Sequence, residues 1–138
     1  MSRRVFVDSD VILDVLADRK PHSQHARRLF SMMDKGQVLG HTSPIIFANL
    51  FYLLRKQNGL KTAKDLLTKL KILFNVLPMD GKTVDLALAS EMSDFEDALQ
   101  YHCAEAAGME IILTRNARDY RGGAIPHSTP EEFLSSLA

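Results

Sequence analysis

The chain has 138 residues, 46% apolar and 25% charged, and its 17 basic and 17 acidic side chains leave a formal net charge of zero. These values fit one ordinary globular domain, residues 1–138, able to bury a sizeable core, and the charge balance neither demands nor excludes a nucleic-acid partner. The single cysteine, Cys103, excludes an intrachain disulfide, and the first apolar run stops at Asp8, too short for a signal peptide or membrane span. A cytoplasmic protein with no membrane association is expected.

Val5-Phe6-Val7 reads as a short buried strand running straight into Asp8. Ser9 and Asp10 are good helix caps, and Val11, Ile12, Val15 and Leu16 recur at helical spacing. Asp8 thus sits where a strand gives way to a helix, the place where open α/β sheets bind ligands. Helical spacing continues over His22 to about Lys35, with Pro21 near the first turn and Gly36 after the last. Val38-Leu39 begins a second strand that exits at His41-Thr42-Ser43-Pro44, with Ser43 capping a third helix from about Ile45 to Lys56. That helix is apolar almost all round, which suits a core or an oligomer interface. Asn49, polar in its middle, needs a partner, either structural or in a site.

After Asn58-Gly59, Leu60 to Leu73 is amphipathic, with Leu66, Leu67, Leu70 and Leu73 opposite a face of Lys61, Lys64, Lys69 and Lys71. A weak strand over Asn75–Met79 and a turn at Asp80-Gly81 precede a helix over Thr83–Ser90. Ser93-Asp94 looks like the cap of another helix, on which Asp94, Asp97 and Tyr101 share a face. Glu110–Thr114 is the second clear buried strand, emptying into Arg115-Asn116-Ala117-Arg118-Asp119-Tyr120. Gly122–Pro126 allows a final strand, and Thr129-Pro130 opens a terminal helix. Strands and helices alternate throughout, which predicts a three-layer α/β/α sandwich around a mostly parallel sheet.

Three acid clusters come from distant parts of the chain: Asp8 with Asp10, Asp94 with Glu96 and Asp97, and Asp119 beside Asn116. Two follow strongly apolar strands, whose exits share one sheet edge if the strands are adjacent and parallel. Crowded carboxylates raise one another's pKa unless a cation neutralises them, and a hard divalent ion with oxygen ligands, Mg²⁺ or Mn²⁺, does so. Phosphodiester hydrolysis is the chemistry such a site supports. His41, at a strand exit, and Cys103, beside His102, read as structural; Arg115 and Arg118 are candidate phosphate contacts.

These segments resemble those of PIN-domain ribonucleases. Val7-Asp8-Ser9-Asp10-Val11-Ile12-Leu13-Asp14 is similar to the family's opening motif, Asp94-Phe95-Glu96-Asp97-Ala98-Leu99 to its central acidic motif, and Ile112 through Tyr120 to its third. The resemblance implies a Rossmann-like PIN fold and Mg²⁺- or Mn²⁺-dependent cleavage of RNA, as in VapC-type toxins, which are generally dimeric and inhibited by an antitoxin protein. It implies Asp8, Asp97 and Asp119 as metal-binding catalytic carboxylates, Asp94 as an additional one and Asn116 as a group orienting a ligand or water. Thr114 would support the site, with Arg115 and Asn49 toward the substrate. Asp10 stands where the family usually has Asn, and Asn49 where it usually has Glu. The second departure leaves open a weakened PIN module that binds RNA or a protein partner. The Asp8-Ser9-Asp10 run also resembles haloacid-dehalogenase-type phosphatases, without a convincing Lys element in the right order.

Overall fold

The structure is a computed structural model that describes residues 2–137 except Arg121; the side chain of Asp119 also lies outside what it describes. Its centre is β1 (Arg3–Val7), in which Val5, Phe6 and Val7 are fully buried. A strand apolar on both faces must have layers on both, and β1 lies in the middle of a parallel sheet of order β3-β2-β1-β4-β5. On one side it pairs with β2 (Val38–Thr42), Phe6 opposite His41; on the other it pairs with β4 (Ile111–Leu113), Val7 opposite Leu113. The strands before the first and third motifs are therefore adjacent and parallel, and their exits share one edge.

Asp8 caps α1 (Ser9–Leu16), which buries Val11 and Ile12. α2 (His22–Asp34) buries Ala26, Leu29 and Met33; Pro21 stands at its cap rather than inside its first turn. Gly40 of β2 is a packing requirement: a Cβ there would run into the Met33 thioether and press on the Phe74 ring. Ser43 caps α3 (Pro44–Asn58) by accepting the Ile46 amide. Ile46, Leu50 and Leu54 are buried, whereas Tyr52 is 67% exposed, so only one stripe of this apolar helix is covered. α4 (Leu60–Leu73) leads to β3 (Asn75–Val76) with its lysines outward, as its periodicity predicts. α5 (Gly81–Ala89) starts earlier than Thr83 because Asp80 caps it, and α6 (Phe95–Ala106) is capped by Asp94.

After β4, a 3₁₀ turn (Ala117–Tyr120) precedes β5 (His127–Ser128) and α7 (Pro130–Ser136), which carries a Thr129–Glu132 capping box. The last strand is not in Gly122–Pro126, where the sequence allows it. The Tyr101 hydroxyl accepts the Ala124 and Ile125 amides at 2.7 and 3.4 Å, so a side chain uses donors that a ladder would need. α1 packs on α2, α2 on α7 and α3 on α4, while α5 and α6 form a separate pair with its own small core of Ala87, Ala98 and Leu99. The sheet flanked by these helices is the predicted α/β/α sandwich.

Candidate functional site

The register of β1 against β4 brings Asp8 to Thr114. Asp8, 8% exposed, accepts the Ser9 amide at 2.7 Å on Oδ1; on Oδ2 it accepts the Thr114 hydroxyl at 3.0 Å and the Tyr120 hydroxyl at 3.2 Å. Asp10, in the first turn of α1, accepts the Arg115 amide at 3.0 Å on Oδ2, with the Thr114 hydroxyl 3.4 Å away. A hydroxyl has one proton, so Thr114 cannot donate to both carboxylates at once. The other Asp10 oxygen is buried without a hydrogen-bond partner. Burial, then the neighbouring Asp8 charge, push the Asp10 pKa up to about 6, against the opposing pull of the Arg115 amide. One buried carboxylate, a half-buried one beside it, a shared hydroxyl donor and one orphaned oxygen suit a hard cation that takes oxygen ligands.

Behind this pair, Arg115 donates from Nε and Nη2 to the two oxygens of fully buried Asp14, at 2.7 and 3.0 Å. Arg19 approaches the same carboxylate at 3.3 Å. The Asp14 bond drives the Arg115 pKa further up and commits its guanidinium to a brace between α1 and the β4 exit. The Asn116 amide donates to Thr114 Oγ1 at 3.0 Å, and its side chain is exposed, as is that of Arg118. Neither the Asp14 brace nor the Tyr120 hydroxyl was expected from sequence. The available signals were an acid one turn after Asp10 and a hydroxyl on the motif's aromatic.

The central motif lies on the first turn of α6. Asp94 caps the Asp97 amide at 2.9 Å, Asp97 is half-buried, Glu96 is exposed, and Asn49 of α3 donates its amide to Glu96. One turn on, the buried Ser43 hydroxyl donates to Gln100 at 2.7 Å. Tyr101, predicted on the acid face, anchors the Ala124 segment. His41 is buried with Nδ1 3.0 Å from the Leu39 carbonyl, and burial lowers its pKa. Cys103 donates to the Pro78 carbonyl at 3.4 Å, and burial pushes its thiol up to about 11. Both read as structural. Among the described residues, three or more Asp, Glu, His or Cys side chains do not gather into one metal-holding group; Asp8 and Asp10 both approach the Thr114 hydroxyl. The Asp119 side chain lies outside the described ones.

A five-stranded parallel sandwich with acids at the shared exit of β1 and β4 defines the class of fold and site. A family model of the PIN domain matches residues 4–118, and the chain belongs to the PIN domain family. It is 27% identical over 137 residues to Ribonuclease VapC1 of Aquifex aeolicus (strain VF5), covering 96% of this chain and 94% of that protein. Its fold is similar to that of a toxin–antitoxin complex from Klebsiella pneumoniae, with TM-score 0.69 and 18% identity, covering 91% of this chain and 97% of the other. It is also similar to DNA bound VapBC from Salmonella typhimurium, with TM-score 0.69 and 16% identity over 94% and 99% of the two chains. A third similar structure is Mycobacterium tuberculosis VapC20, a Sarcin-Ricin loop cleaving toxin, with TM-score 0.66 and 15% identity over 87% and 96% of the two chains. Family membership sets aside the phosphatase alternative.

Proposed function

We propose that this chain is a Mg²⁺- or Mn²⁺-dependent endoribonuclease and the toxin of a toxin–antitoxin pair. The observation that carries this reading is the Asp8–Asp10 pair at the shared strand exit, with a buried oxygen that has no partner. Similarity to Ribonuclease VapC1 supports RNA as the substrate, and the likeness of the fold to those in a toxin–antitoxin complex and in DNA bound VapBC supports an antitoxin partner. On this reading Asp8, Asp97 and Asp119 hold the ion, with Asp94 as a further carboxylate. Bound there, the ion supplies charge stabilisation at a phosphodiester and makes water easier to deprotonate.

The chain's own residues prepare that site. Thr114 and Tyr120 fix the Asp8 carboxylate, and Arg115 locks α1 against the β4 exit through Asp14. The exposed Asn116 amide orients substrate or water, and exposed Arg118 meets a phosphate. No helix among the described residues is long and apolar enough to cross a membrane. A single domain acting in the cytoplasm as a homodimer completes the proposal. In Asp97→Asn, metal-dependent cleavage of single-stranded and structured RNA should be lost while circular dichroism and melting behaviour stay native. Cleavage at the wild-type rate would overturn the assignment of the central motif.

A second reading rests on Asn49, a neutral residue where a Glu is expected: a weakened module that binds RNA or protein. RNA binding without metal-dependent cleavage by the wild type would favour it.

A further inference from the structure

A cavity of about 230 Å³ lies between α1, the first turn of α2, the exit of β4 and the start of α7. His22 and His25 both line it, since positions three apart share a helix face. Buried Pro130 supplies apolar wall, and Glu131 brings a carboxylate whose Oε2 lies 3.5 Å from His25 Nε2. Asp14 and Arg115 also line it, and Arg115 links it to the strand-exit site. The Arg115 main-chain amide holds Asp10, while its guanidinium is bonded to Asp14 in the cavity wall. The cation site uses neither histidine and does not use Glu131.

Charge and size narrow the occupant. The carboxylates of Asp14 and Glu131 stand against a single guanidinium already committed to Asp14, so a phosphate would meet an acid without a spare arginine. The cavity is smaller than the roughly 300–1,000 Å³ of pockets for drug-sized ligands, which suits one planar ring system. Unstacked RNA bases are planar, lie on imidazole and guanidinium planes and are read along their Watson–Crick edges. We propose that this cavity takes one extruded guanine of the RNA, beside the phosphodiester held at the β1–β4 edge, with Glu131 as the residue that reads it. The inference rests on the nuclease reading above. Guanine alone among the four bases has two adjacent donors on that edge, N1–H and the N2 amine, and they match the two oxygens of one carboxylate. His22 and His25 supply ring surface for the base to stack on.

Two measurements on the full chain test this, with circular dichroism confirming that each variant folds. In the first, a random-sequence single-stranded RNA pool is cut in the presence of Mn²⁺ and the new ends are sequenced. The wild type should favour guanine about tenfold at one fixed position beside the cut. Glu131→Gln should cut the pool at a similar overall rate with that preference lost, because the amide replaces one acceptor by a donor. In the second, guanosine or uridine is added without metal while the imidazole proton signals of His22 and His25 are followed by NMR. Guanosine should shift both signals in the wild type, and uridine should leave them in place. A pool cut without base preference, or a preference unchanged in Glu131→Gln, overturns this inference and leaves the nuclease reading standing. Histidine signals indifferent to guanosine also overturn it. An uncut pool together with a guanosine-dependent shift overturns the nuclease reading and leaves the base site standing.

Discussion

Asp10 shows how one side chain sets conditions for the whole site. Its carboxylate is partly buried beside Asp8 with one oxygen unpaired, so in metal-free protein its charge is a liability. The folded-state pKa, about 6, lies above the ordinary 3.8, so the folded form binds the extra proton between those values. Stability therefore falls as pH rises from about 4 to 6, and the full cost is present above 6. Asp10→Asn should raise the stability of EDTA-treated protein at pH 7.5 by on the order of 1 kcal/mol, the gain fading as pH falls through 6. Urea unfolding at both pH values checks this, and an unchanged or lower midpoint at pH 7.5 would contradict it. His41 acts in the opposite sense. Burial lowers its pKa below 6.5, so the unfolded chain takes the proton first. Its contribution is fully present above 6.5 and is lost as pH falls from there through the lower folded-state pKa. His41→Asn should therefore lose less stability than the wild type between pH 7.5 and 5.5. Parallel pH slopes for the two proteins would refute the assignment.

At the scale of elements, Tyr101 ties α6 to the segment before β5. Its hydroxyl accepts the Ala124 amide, and its ring packs so closely on Gly123 that a Cβ there would collide with it. Removing the oxygen leaves the packing and frees the amides. Tyr101→Phe should cost about 1 kcal/mol, the net worth of one hydrogen bond, and accelerate hydrogen exchange at Ala124. Wild-type exchange rates in a destabilised variant would place the cost elsewhere. The same contact explains why β5 was not legible at Gly122–Pro126. Apolar runs and turn residues mark where a strand fits, but not which donors a tyrosine twenty-odd positions away has taken. β1, β4, α3 and α6 were legible for the converse reason. Val5-Phe6-Val7 and Ile111-Ile112-Leu113 can satisfy their burial only in a covered sheet, and Ser43 and Asp94 cap their helices through bonds that span three residues.

For the whole molecule, sequence order foretold which acids follow strands, but their meeting depends on strand order, which no local pattern contains. The sheet order puts β1 beside β4, which is why Asp8 finds Thr114 and Tyr120 across more than 100 positions. The Asn49–Glu96 pair and the Arg115–Asp14 brace depend likewise on helix placement. Asn49 signalled only that it needed a partner. A site assembled from such distant segments should couple cation binding to global stability, because the unfolded chain cannot gather the same carboxylates. Saturation at 100 times the dissociation constant should stabilise the folded state by about 2.7 kcal/mol. Adding Mn²⁺ to EDTA-treated protein should therefore raise the melting temperature of the wild type in a concentration-dependent way, and EDTA should reverse the rise. Asp8→Asn, lacking the carboxylate at the centre of the strand exit, should melt at a temperature indifferent to Mn²⁺. An equal upward shift in both proteins would mean that the ion binds away from the β1–β4 edge.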